Sequence, residues 1–119
     1  MSQAGQIGAG GVGPYPPFGP LKITFVTASA QPGGNYTVLS TDSFISITSD
    51  APLNVLMPNT TVMGRIVIIK DRTGTAKMNP ITIKTPGGIV TIDGSTTVVM
   101  DGSYDSNTLV WDGTAYEIW

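Results

Sequence analysis

Seven aspartates, Asp42, Asp50, Asp71, Asp93, Asp101, Asp105 and Asp112, and one glutamate, Glu117, are the carboxylates with which this chain could do acid–base or cation chemistry. Two carboxylates facing each other across a sugar can cleave a glycosidic bond, and clustered oxygens can hold calcium. The densest stretch is Asp101-Gly102-Ser103-Tyr104-Asp105-Ser106-Asn107, which makes Asp101 and Asp105 the candidate pair. An EF-hand loop closes on a glutamate, however, and the chain's one glutamate is Glu117. Most of the aspartates also stand beside Gly, Ser or Asn, where an Asp side chain bonds its own backbone and explains itself as a turn residue.

Other chemistries are excluded by what is missing. With no histidine, a Ser-His-Asp or Cys-His relay cannot be built and the commonest metal ligand is lost. With no cysteine there is no thiolate nucleophile, disulfide framework or cysteine zinc site. Six basic against eight acidic residues give a net charge of −2, so no positive field gathers phosphates and nucleic acid is not an expected partner. The expectation is a protein without catalytic residues, cofactor or metal.

Two motifs invite a function that their surroundings deny or weaken. Gly8 to Gly13 reads G-x-G-x-x-G, yet no strand precedes it and Pro14-Tyr15-Pro16-Pro17 follows where a dinucleotide-binding helix would begin. Trp111, Tyr116 and Trp119 form an aromatic group near the last turn; with Tyr104 they offer flat faces for sugar rings or for a protein partner. Alternation with Leu109 and Ile118 points at least one tryptophan into the core or an interface, leaving Tyr104, Tyr116 and Trp119 as candidate contacts to a glycan or partner.

The elements that must position these groups are short strands. From Leu21 onward, β-branched runs alternate with turn signals every 8 to 12 residues or so, the pattern of an all-β sandwich or barrel. Strands are predicted at Leu21–Phe25, Tyr36–Leu39, Phe44–Thr48, Leu53–Met57, Val62–Lys70, Ile81–Lys84, Ile89–Ile92, Thr96–Met100, Thr108–Trp111 and Ala115–Trp119. In the first, Leu21, Ile23 and Phe25 alternate with Lys22 and Thr24, which predicts an apolar buried face. Ile66 to Ile69 reads as a buried strand, far too short to span a bilayer. Asp112-Gly113 is the strongest hairpin signal. No window carries a helical apolar stripe, and no period is regular enough for a repeat. The fold expected for 21–119 is a small sandwich or barrel-like domain of antiparallel strands.

Residues 1–20 have a different character. They hold six glycines and four prolines, no charge and no period, and predict an extended arm rather than a piece of the core. They also lack the cationic start and apolar run of a signal peptide, so export by that route is not expected. Ile7, Val12, Tyr15 and Phe18 are the arm's anchoring candidates, with the glycines allowing close backbone approach to a partner.

The stretch from Asp71 to Trp119 resembles the β-structured modules at the C-termini of bacteriophage tail fibres, head fibres and related virion appendages. The resemblance is carried by Ile66 to Asp71 (IVIIKD), Asn79 to Ile83 (NPITI), Thr91 to Gly94 (TIDG) and the closing DG hairpin with its aromatic strand; Tyr36 to Pro58 also fits. It implies a non-enzymatic structural role in the virion, commonly as a homotrimer, attached to another virion protein through the N-terminus. The absence of a long shaft favours a capsid decoration, head fibre or short connector over a receptor-reaching fibre. Independently, a low-charge β domain has sheet edges and apolar strand faces to hide, which oligomerisation would cover. The competing expectation is a carbohydrate-binding module contacting host glycans, and the third is a glycan-cleaving appendage using Asp101 and Asp105.

Overall fold

A computed structural model describes residues 21–119; the anchoring candidates Ile7, Val12, Tyr15 and Phe18 lie outside the described residues. Among the described residues, nine strands form two sheets: β1 (Ile23–Thr27), β2 (Asn35–Thr37), β3 (Phe44–Thr48), β4 (Leu53–Leu56), β5 (Ile66–Asp71), β6 (Ile81–Lys84), β7 (Thr97–Met100), β8 (Ser106–Trp111) and β9 (Tyr116–Ile118). The five-stranded sheet runs β1-β3-β5-β8-β9 and the four-stranded sheet β2-β4-β6-β7.

The described residues are all-β, but the expected antiparallel pairing throughout is corrected to two mixed sheets. Odd and even strands alternate between the layers for the first six elements. Thus β1, β3 and β5 pair in parallel, as do β2, β4 and β6, and each winding of the chain lays one strand on each sheet. The winding ends at β7, which returns antiparallel to β6; β8 then pairs antiparallel with β5, and β9 antiparallel with β8, to complete the other sheet. The physical reason is that Gly33 (φ 63°) and Gly34 (φ 73°) turn a corner between layers instead of closing a hairpin. Glycine in a left-handed conformation serves both purposes, so residue type alone does not separate them.

The core lies where inward faces meet. Val26, Ile45, Ile47, Val67, Ile69 and Leu109 from the five-stranded sheet belong to one buried cluster with Leu53, Val55, Ile81, Ile83 and Met100 from the other. Three further expectations are revised. Ile23 and Phe25 face out, at 53% and 66% exposure, because Val26 and Ala28 take the core positions and the Thr24 hydroxyl bonds inward to Asp42 at 2.8 Å. Ile66 to Ile69 buries one face only, Val67 and Ile69, leaving Ile66 51% exposed. Residues 89–92 form no strand: Ile92 alone makes bridges, to Ser95 and Tyr116, while Ile89 follows the turn at Pro86–Gly88 and is exposed. The Asp112-Gly113 hairpin is present, with Trp111 opposite Tyr116, the Asp112 N–H donating to Ala115 O at 3.0 Å, and Gly113 at φ 107°.

Candidate functional site

Asp71 ends β5 on its inward face, following Val67 and Ile69 in the strand's alternation. It is fully buried and its two oxygens are divided among four donors. Oδ1 accepts from the Ser49 hydroxyl (2.7 Å) and the Gly74 N–H (3.2 Å); Oδ2 accepts from the N–H groups of Ala76 (3.1 Å) and Tyr104 (3.0 Å). Burial alone would push this carboxyl up, but the donors outweigh it and hold it below its ordinary value. A carboxylate so enclosed joins three loops and keeps no lone pair turned to solvent.

Asp42 is a second knot of the same kind. Its Oδ1 accepts from Thr24 and its Oδ2 from the Tyr36 hydroxyl (2.7 Å) and the Leu39 N–H (2.8 Å), which ties β1 to β2. Burial raises this carboxyl and the three hydrogen bonds, with the Lys22 charge, bring it below its usual value; the same contacts and burial drive the Tyr36 phenol upward. Reading the aspartates as turn residues missed these two. The signal for Asp71 was available, since the strand's period of two places it on the buried side with Val67 and Ile69.

The expected pair Asp101 and Asp105 lies in the loop between β7 and β8, and both residues are exposed. Asp105 Oδ2 accepts from the Gly102 N–H at 2.8 Å, closing a turn in which a side chain at Gly102 would strike the carboxylate. Asp112 bonds the N–H groups of Thr114 and Ala115, both at 2.9 Å, and is lowered to about 2 by them. Among the described residues, no group of three or more carboxylates stands together as metal ligands.

The aromatic candidates separate. Tyr116 is buried: its ring packs on Trp111 with centroids 4.9 Å apart, and its hydroxyl donates to Pro58 O at 2.5 Å. No face of it is turned outward for a sugar, so the candidate contact at Tyr116 is corrected to a core position; burial also raises its phenol to about 12. Tyr104 is 58% exposed, takes φ 62° and covers Gly74, with the Lys70 ammonium 5.8 Å from its ring centre and bonded to its carbonyl. Trp119 is 79% exposed.

Ile23, Phe25 and Ile66, which the sequence pattern predicts to be buried, instead belong to an outward apolar surface. Outward positions on the five-stranded sheet form an in-register row, Ile23 beside Phe44 beside Ile68, with Phe25 next to it and Ile66 opposite Val110. The apolar surface continues from Ile66 into a shallow depression with Leu21, Val62 and Met63. The outward face of the four-stranded sheet is different: Asn35, Asn54, Thr82 and Val99 make one row, and Thr37, Leu56, Lys84 and Thr97 the next. No protein-family model matches the chain, and no curated protein matches it.

Proposed function

We propose that this chain is a non-enzymatic structural component of a virion, a capsid decoration, head fibre or short tail-fibre connector, oligomerised through residues 21–119 and attached through residues 1–20. The observation that carries the reading is the apolar outer face of the five-stranded sheet. Large apolar side chains exposed together on a small domain mark a surface meant to be covered. The two buried carboxylates, Asp42 and Asp71, support it as well, because their hydrogen bonds hold loops and strands together rather than awaiting a substrate. The resemblance to phage appendage modules supplies the setting and the trimeric order.

Deleting residues 1–20 tests the division of labour. The chain beginning at Leu21 is expected to stay folded and oligomeric while particles assembled with it lack the protein. Unfolding of that shortened chain would make the first twenty residues part of the domain and overturn the attachment reading.

A second reading has one observation in its favour. Tyr104 and Trp119 expose aromatic rings, the platform on which a carbohydrate-binding module stacks host glycans. Titration with glycans against the Trp119→Ala chain tests it: binding lost in the variant supports a glycan site, and no binding by the unaltered chain removes it.

A further inference from the structure

Resting on the oligomeric reading above, we propose that the outer face of the five-stranded sheet is the subunit interface, with Lys70 of one copy set against Glu117 of the next. The choice of face follows from contrast. The outward positions of the two sheets differ in kind: the four-stranded one carries mainly Asn and Thr, whereas the five-stranded one sets six large apolar groups, Ile23, Phe25, Phe44, Ile66, Ile68 and Val110, among Ser and Thr. The second has the larger apolar area to withdraw from water, Leu56 and Val99 being the apolar outward strand positions of the first.

The choice of occupant follows from charge. Among the outward strand positions of this face, two are charged, Lys70 on β5 and Glu117 on β9. They stand apart in both directions. Lys70 shares its row with Phe25, Ser46 and Ser106, whereas Glu117 shares the Ile66–Val110 row two strands away and on the other side of the Ile23–Phe44–Ile68 row. An apolar centre with a cation at one end and an anion at the other is complementary to itself head to tail, and such a contact forms a ring where its rotation closes, a trimer being the closed form proposed above. Glu117 also has a reason to accept a cation. Its hydrogen bond to Asp112, then burial and the negative charges of Asp112 and Asp93, raise its carboxyl, and an opposing ammonium would relieve that repulsion.

The open edge of the sheet adds to the case. Among the described residues, β1 pairs on one side with β3 and has no strand on the other. An exposed edge beside exposed Ile23 and Phe25 is a template for uncontrolled pairing unless something covers it, and Arg72, stacked 5.0 Å over Phe25, covers only part. A second copy seated on this face shields the edge along with the rows.

The test is sedimentation of the full chain and its variants across concentration, with far-UV circular dichroism to verify that each is folded. Ile23→Lys is expected to weaken association at least about tenfold, as loss of a central interface contact does, while Thr82→Lys on the opposite sheet leaves it unchanged. Lys70→Glu and Glu117→Lys are each expected to weaken association, and the double variant to restore it. Folded Ile23→Lys associating like the unaltered chain, or a double variant no better than the singles, overturns the assigned face or pairing while leaving oligomerisation intact. An unaltered chain that stays monomeric overturns oligomerisation too, and retention of the chain lacking residues 1–20 on particles overturns only the attachment reading.

Discussion

The backbone N–H of Tyr104 donates to Oδ2 of Asp71 at 3.0 Å, joining residues 33 positions apart. Through this bond the loop before β8 is fixed to the end of β5, and the antiparallel closing strands are registered on the parallel winding. The Ala76 N–H points at the same oxygen and the Ser49 hydroxyl and Gly74 N–H at the other. In Asp71→Asn, one orientation of the amide sets its NH2 against two N–H donors, and the other sets it against the Gly74 N–H. The variant is expected to lose about 2–4 kcal/mol of stability by urea denaturation, the cost of unsatisfied buried donors near a charge site. A loss below about 0.5 kcal/mol would mean that the cluster is not a structural knot.

Gly74 lies under the Tyr104 ring with φ at 77°. A methyl group there meets the ring's Cζ at 2.5 Å and demands a left-handed backbone that alanine disfavours. Gly74→Ala is therefore expected to cost about 1–3 kcal/mol and to expel Tyr104 from its position, shown by a changed near-UV circular dichroism signal. Gly64, also at positive φ but with open space around its missing Cβ, is the comparison: Gly64→Ala carries the backbone cost alone.

Acid is expected to destabilise the domain from about pH 4 downward. Asp42 and Asp71 titrate below their ordinary range in the fold, and Asp112 at about 2, whereas the unfolded chain takes up these protons near about 3.9. A depressed folded value means that the contribution is complete above the unfolded value and is lost as pH falls through the folded one. Glu117 acts in the opposite sense, since its raised carboxyl favours the fold at lower pH and that benefit disappears as pH rises through its folded value. Asp50, lowered by its hydrogen bonds from Ser29, acts with Asp42, Asp71 and Asp112, and four depressed groups against one raised group set the net direction, which thermal melts at pH 6, 4 and 2.5 would check; a melting temperature that rises on acidification contradicts it.

Strand content was legible in the sequence, and its arrangement only in part. Asp112-Gly113 between Trp111 and Tyr116 specified a hairpin because few other conformations suit that pair beside two aromatic strands. The parallel winding was hidden by unequal returns. Ile23 meets Phe44, 21 positions on, and Phe44 meets Ile68, 24 on; in the other sheet Asn35 meets Asn54, 19 on, but Leu53 meets Ile81, 28 on. Loops of differing length erase a sequence period while leaving the strands stacked.

The face of β1 was misread for a related reason. Ile23 and Phe25 are the larger apolar groups, yet the strand is turned by Val26, Ala28 and the Thr24–Asp42 hydrogen bond, and hydrophobicity alone cannot tell a core face from one awaiting a partner. Tyr116 was grouped with exposed aromatics because its burial depends on Pro58, 58 residues away. Asp71 could have been placed by alternation, but its four donors come from separate loops that no local pattern connects.

The central claim is that this domain functions as an assembled structural part, and the number of subunits in solution tests it most directly. Sedimentation equilibrium on the full 119-residue chain at roughly 10 µM, where a standard-sized specific interface is populated, is expected to give three times the 12.4 kDa chain mass. A mass of 12.4 kDa that persists at roughly tenfold higher concentration would contradict the claim, leaving the row of Ile23, Phe44 and Ile68 uncovered by copies of this chain.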